Sequence, residues 1–283
     1  MISRSFLLAA GLLAATGCAT RTAPASPPAA VASSAAHENL NAVVWVQTAI
    51  EYEAAALQAY RLAELQVEAA LKDPRWTAAI EQTGDSSSLP PAVIVDVDET
   101  VLDNSFYQAR MIRDNTPFAT STWDTWVMEE GATAIPGAVA FAKYAASRGV
   151  TIFYITNRTA NLEAATRRNL AAVGFPLTDG TDMILTRGER PEWQASAKGA
   201  RRAHVARDYR ILLLIGDDLG DFVVEPAGTP AERRIRTEPQ SDWWGRRWIM
   251  IPNPTYGSWE RAVTGSEKDP NAARRRALRY SPK

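Results

Sequence analysis

Residues 92–104 read AVIVDVDETVLDN: a four-residue apolar run, three of its members β-branched, that passes without a break into Asp96, Val97, Asp98, Glu99 and Thr100. A short, wholly apolar run bounded by polar turn formers is the mark of a strand buried on both faces. Comparable runs recur at 150–155, 183–185, 211–215 and 248–251. Helix-length segments lie between several of them, notably 137–148 and 161–173, followed by Gly149 and Gly174 in the position that favours a left-handed helix end. Buried strands alternating with helices predict an α/β fold, a Rossmann-like doubly wound parallel sheet covered on both faces.

Working outward, residues 40–72 read as one helix, with Val43, Val46, Ile50, Leu57 and Tyr60 three or four positions apart or bridged by Ala54, and Pro74 stopping the run. The longest interruption of the core pattern, 104–136, is rich in Trp, Tyr and Phe and reads as a small, mostly helical cap. At the start of the chain, Arg4 precedes an apolar stretch at 6–15, which ends in Ala14-Ala15-Thr16-Gly17 directly before Cys18. That arrangement resembles a bacterial lipoprotein signal, which implies lipidation at Cys18 and a membrane anchor. Thr20, standing where Asp would mark inner-membrane retention, points to the outer membrane, on its periplasmic or surface side. Residues 19–36, almost wholly Ala, Pro, Ser and Thr, cannot bury enough surface to offset their ordering entropy and read as a tether. The expected organisation is a leader at 1–18, the tether at 19–36 and a helical segment at 37–89. The core then occupies 90–103 and 137–265, the cap 104–136 and a tail 266–283.

Composition excludes several chemistries. Among 283 residues, 31 Lys plus Arg nearly balance 32 Asp plus Glu, giving a net charge of −1, which argues against a nucleic-acid polymer as partner. One cysteine permits no internal disulfide, and two histidines, His37 and His204, are too few for a His-built zinc site. Hydrolytic chemistry here has to come from carboxylates, hydroxyls, lysine and a hard cation.

Ligands of open parallel sheets bind at the carboxyl ends of the strands. The first expected strand is followed by Asp96-Val97-Asp98-Glu99-Thr100 and the second by Thr156-Asn157-Arg158. Lys198, in Lys198-Gly199-Ala200-Arg201-Arg202, lies between the third and fourth, and Gly216-Asp217-Asp218-Leu219-Gly220-Asp221 follows the fourth. These resemble, in order, the four motifs of the haloacid dehalogenase (HAD) superfamily. The longer strings VDVDETVLDN at 95–104 and ILLLIGDDLGDF at 211–222 are similar to the paired signatures of class C acid phosphatases, which are bacterial outer-membrane lipoproteins. The likeness extends over residues 40 to 262.

The resemblance implies a HAD-like core and an aspartyl-phosphate mechanism in which Asp96 is the nucleophile and Asp98 the general acid and base. Mg2+ would be held by the carboxylates of Asp96 and Asp217 and the backbone carbonyl of Asp98, with Asp221 behind them orienting a bound water or pairing with Lys198. Thr156, Asn157 through its backbone N–H, and Lys198 would hold the phosphoryl oxygens. Physical chemistry agrees with such a set: a carboxylate can attack a phosphate dianion only once charge is neutralised, and a hard cation on oxygen ligands does that. Dehalogenases of the superfamily lack the second Asp and P-type ATPases carry Thr there, so Asp98 points to a hydrolase. The implied activity is an acid phosphatase or 5′-nucleotidase acting outside the cytoplasm on small phosphomonoesters.

Trp123, beside Trp126, and Tyr256, in the segment 253–259, are candidates for stacking on a nucleobase, which makes nucleoside 5′-monophosphates a reasonable substrate class. The same rings could instead build the interface between cap and core. Asp218 and His204 read as structural. The alternative to an enzyme is a surface lipoprotein that only binds a phosphorylated or aromatic ligand.

Overall fold

The computed structural model describes residues 39–178 and 180–279; the expected leader, Cys18 and the tether lie outside the described residues. Helices α1 (Leu40–Thr48) and α2 (Ile50–Lys72) come first, then strand β1 (Pro91–Val95). The short strand β2 (Leu102–Asp103), helices α3 (Ser105–Asp114) and α4 (Thr120–Met128), and the short strand β3 (Thr133–Ala134) come next. The chain continues through α5 (Ala138–Ser147), β4 (Thr151–Thr159), α6 (Glu163–Val173), β5 (Ile184–Arg187), α7 (Gly199–Asp208) and β6 (Arg210–Gly216). It finishes with α8 (Pro230–Thr237), β7 (Trp248–Met250), α9 (Ser258–Thr264) and α10 (Pro270–Ala277).

The main sheet has the order β5-β4-β1-β6-β7, and every pairing in it is parallel. The central residues of its strands are apolar because they serve two cores. On one face Val93, Val95, Tyr154 and Leu213 pack with Ala56, Tyr60 and Ala63 of α2 and Phe141 of α5. On the other, Ile94, Phe153, Ile155 and Leu214 meet Trp193, Val205 of α7 and Trp248. Alternate residues of one strand thus enter opposite layers. The fold is α/β with helices on both sides of a parallel sheet.

The N-terminal helix is not the single element that the spacing predicts. The chain turns extended at Ala49 (φ −86°, ψ 125°), separating α1 from α2. Neither Gly nor Pro stands there. Tertiary packing is the cause: α1 lies on α3, whereas α2 lies on α5 and the sheet. The Trp45 and Tyr52 rings meet edge-on across the break at 5.4 Å. Gly149 and Gly174 end their helices with φ of +72° and +98°, the geometry that the sequence predicts.

β2 and β3 pair antiparallel, Leu102 with Ala134 and Asp103 with Thr133, so the segment between them leaves and rejoins the core at one point. Its Tyr107, Met111, Trp126 and Val127 are buried in the same cluster as α2 and the sheet.

The strand order creates the site. From β1 the chain moves outward through β4 to β5, then crosses back to β6 on the other side of β1. At such a reversal the connections after the two central strands part, leaving a crevice at their carboxyl ends.

Candidate active site

β1 and β6 run in register to their ends, Val95 beside Ile215, and the ladder continues through Asp96, whose N–H donates to Ile215 O at 2.9 Å. This alignment delivers Asp96 and Asp217 to neighbouring positions although they stand 121 positions apart in the chain. The Thr100 hydroxyl sits between them, 3.3 Å from Asp96 Oδ2 and 3.1 Å from Asp217 Oδ1. Thr100 is brought back by a tight loop in which Glu99 takes a left-handed φ of +56° and Val101 N–H donates to Val97 O. Asn253 Nδ2 donates to the other oxygen of Asp217 at 2.8 Å.

Gly216 is required by Asp221. A Cβ at position 216 would stand 2.2 Å from Asp221 Oδ2, so only glycine lets that carboxylate fold back over the end of β6. Asp221 Oδ2 accepts the Asp218 N–H at 3.0 Å and Oδ1 accepts from Lys198 Nζ at 2.6 Å. Lys198, immediately before α7, also pairs with Asp96 Oδ1. Asp218 faces away from this cluster and binds Ser258 through N–H and hydroxyl, the structural part that the sequence reading assigns it.

One carboxylate oxygen from each of Asp96, Asp217 and Asp221 lies within 4.8 Å of the others. Two of the three acids, Asp96 and Asp221, share the Lys198 ammonium, while the half-buried Asp217 does not touch it. Burial pushes Asp96 up to about 7, with Asp221 and Asp98 adding to the rise and Lys198 opposing it. Asp217, raised well above the carboxylate range by burial and by Asp96, has Thr100 and Asn253 as its hydrogen-bond partners. Lys198 is held above its ordinary value because Asp221 and Asp96 outweigh its burial. An all-oxygen donor set with excess negative charge fits a hard divalent cation. Asp221, expected behind the metal ligands, contributes an oxygen to the same group. The Asp98 carboxylate is not in it.

The Asp98 carboxylate is gripped instead by Arg158, Nη2 to Oδ1 at 2.7 Å and Nε to Oδ1 at 3.0 Å, and by Asn104 Nδ2 at 2.9 Å. Asn104 is fixed in turn by Trp126, whose indole N–H donates to its Oδ1 at 2.8 Å. The Thr156 hydroxyl accepts the Arg158 N–H at 3.1 Å and lies 3.5 Å from Asp98 Oδ2. A cleft of about 840 Å³ opens over the site, lined by Asp96, Asp98, Asn157, Lys198, Asp217 and Tyr256 among others.

Tyr256 enters that cleft with its hydroxyl bound to Glu99 Oε2. Trp123 is placed differently. It packs edge-on to Tyr107 at 5.3 Å, with the Arg158 guanidinium 5.6 Å above its ring, and is not among the residues lining the cleft. His204 meets Trp193 edge-on at 5.2 Å and does not line the cleft. Sequence reasoning assigned no part to Thr100, Asn104, Arg158, Arg201 or Asn253. Arg158 stood in view beside Thr156-Asn157, whereas nothing in the local sequence marks Asn253.

A family profile described as HAD superfamily, subfamily IIIB (Acid phosphatase) matches residues 12–259. The fold is similar to that of the class C acid phosphatase from Bacillus anthracis, at 33% identity and TM-score 0.73 over 86% of this chain and 98% of that one. The tungstate-bound class C acid phosphatase from Bacillus anthracis compares at 32% identity and TM-score 0.72, with the same coverage. Among curated proteins, the stem 28 kDa glycoprotein of Glycine max is 26% identical over 166 residues, 58% of each chain. The stem 31 kDa glycoprotein of Glycine max is 26% identical over 133 residues, 46% of this chain and 45% of that one. The chain therefore spans about half the length of these curated relatives.

Proposed function

This chain belongs to the acid phosphatases of HAD subfamily IIIB, and from that membership we propose that it hydrolyses small phosphomonoesters through an aspartyl-phosphate on Asp96. The observation that carries the reading is the convergence of Asp96, Asp217 and Asp221 within 4.8 Å at the end of β1 and β6, with Lys198 bridging two of them.

In the first step an Asp96 oxygen attacks phosphorus, the ester P–O bond breaks, and the proton of the Asp98 carboxyl passes to the departing alkoxide. In the second, water attacks phosphorus, its proton returns to Asp98, the bond to Asp96 breaks, and phosphate leaves. Arg158 and Asn104 fix the orientation of Asp98 through both steps. Lys198 keeps Asp96 placed and supplies positive charge to the phosphoryl oxygens, assisted by Asn157 and Thr156. Asp96, Asp217 and the Asp98 carbonyl, with Asp221 beside them, would hold the ion we assign as Mg2+, which would supply the positive charge that the incoming dianion needs.

Nucleoside 5′-monophosphates are the proposed substrates. The cleft volume suits a ligand of that size, and Tyr256 offers an aromatic edge beside the carboxylates. The leader-like sequence at 6–18 supports an enzyme anchored by lipid at Cys18 outside the cytoplasm, on the outer membrane. A protein that only bound phosphorylated ligands would have no use for a nucleophile set within a candidate cation site.

The deciding experiment is hydrolysis of p-nitrophenyl phosphate with and without EDTA, beside Asp96→Asn, followed by a panel of nucleotides and sugar phosphates. Turnover that EDTA and the substitution each abolish is the expected result. Wild-type protein without metal-dependent turnover sinks the proposal, and a preference for sugar phosphates sinks its nucleotide part.

A further inference from the structure

Arg201 is completely buried, yet no carboxylate of the described residues pairs with it. Its neighbour Arg202, equally buried, is matched by Glu81 at 2.6 Å, and Arg158 is matched by Asp98. Arg201 instead donates from Nη1 to the backbone carbonyl of Thr156 and from Nη2 to Asn157 Oδ1 at 2.7 Å, with a longer contact to Ser196 O at 3.4 Å. Its Nε is buried without a partner. Burial lowers its pKa to about 10, which leaves the guanidinium charged under any physiological condition. Asp96 and Asp221 favour its charge through space without pairing with it, so its hydrogen bonds fall on neutral groups of the loop.

Its contacts show what it acts on. Arg201 can only donate, so accepting its bond commits Asn157 Oδ1 and leaves the amide NH2 as the free end of that side chain. The same guanidinium holds the Thr156 carbonyl, and the planar peptide then sends the Asn157 N–H the opposite way. Asn157 lines the catalytic cleft beside Lys198. Both of its donors are therefore oriented from behind by one side chain.

We propose that Arg201 is the positioning residue of the phosphoryl-binding loop, presenting Asn157 as a donor to the transferring phosphoryl group. This rests on the phosphatase reading above, and it concerns how the anion is held rather than the chemical step.

The test measures equilibrium binding of inorganic phosphate, together with KM and kcat for p-nitrophenyl phosphate, in wild type, Arg201→Gln, Arg201→Lys, Asn157→Ala and the double variant Arg201→Gln/Asn157→Ala. The expected result is phosphate binding weakened about tenfold in Arg201→Gln with a parallel rise in KM and a smaller fall in kcat. Asn157→Ala in that background should add little, because the two residues act as one unit. A folded Arg201→Gln that binds phosphate within twofold of wild type overturns the inference, as does full additivity with Asn157→Ala. Should Arg201→Gln not fold, Arg201→Lys decides: it keeps the charge and loses the two-point grip, so weaker phosphate binding is expected and unchanged binding overturns the inference. Wild type that binds phosphate and turns over no ester defeats the phosphatase reading alone; wild type that turns over ester while KM and kcat are unchanged in Arg201→Gln defeats this inference alone.

Discussion

Nε and Nη2 of Arg158 converge on Oδ1 of Asp98, 60 positions away in the chain, with the guanidinium almost wholly removed from water. The pair joins the loop after β1 to the end of β4, and Asn104 extends it to Trp126 on α4. The expected acid and base is thus held by groups from three elements before any substrate arrives.

Removing that grip should cost proton transfer more than binding. Arg158→Gln is expected to lower kcat about 10- to 100-fold on alkyl phosphates. The loss should be clearly smaller on p-nitrophenyl phosphate, whose leaving group needs no proton. Breaking a buried pair also costs about 3–5 kcal/mol of stability, so Arg158→Lys serves as the milder variant. Equal losses on both substrates would exclude a role in orienting Asp98.

Metal and fold should be linked through Asp217. Mg2+ is expected to raise the thermal midpoint of wild type, stabilising the fold by about 2.7 kcal/mol when the ion is at a hundred times its Kd. Asp217→Asn should lose most of that rise and unfold at a higher midpoint than wild type in EDTA, because a carboxylate in an acidic cluster is replaced by a neutral amide. An unchanged Mg2+ response would remove Asp217 from the ligand set.

A pH effect on stability should come from His204. Its pKa lies below 6.5 through burial, aided by Arg190 and Arg207, with Asp208 and Asp182 opposing. The unfolded chain therefore binds more protons at this site just below pH 6.5. The contribution is complete above 6.5 and is lost as pH falls from there toward the folded value. His204→Gln should flatten the fall in thermal midpoint across that window relative to wild type. Parallel pH curves for the two proteins would refute this.

Gly216→Ala tests the folding of Asp221 over β6. With 2.2 Å available between the added Cβ and Oδ2, Asp221 must move and its contact with Lys198 must change. A drop in kcat of about tenfold or more is expected from such displacement, read beside circular dichroism that reports an intact sheet. Wild-type kcat in a folded variant would show that Asp221 can be moved without consequence.

Much of the fold and the site was legible locally because strands buried on both faces leave unbroken apolar runs. A parallel sheet presents its strand ends on one side, so Asp96 and Asp217, just after two of those runs, and Lys198, ahead of the second of them, could be picked out together. The break at Ala49 was not legible: residues on either side have the same helical spacing, and only the different surfaces under α1 and α2 separate them. Trp126 could be read as a ring for stacking or for packing, and its indole bond to Asn104 depends on where α4 lies over the loop after β1.

Burial pattern and strand-end chemistry belong to the sequence, because both are set by neighbours two to four residues away. The pairing of charges does not. Which acid faces an ion, which faces Arg158, and why Arg201 is left without a carboxylate are set by the register of β1 against β6 and of β4 against β1. A shift of one residue there would reassign every partner, and that register is decided by how the two cores close around the sheet.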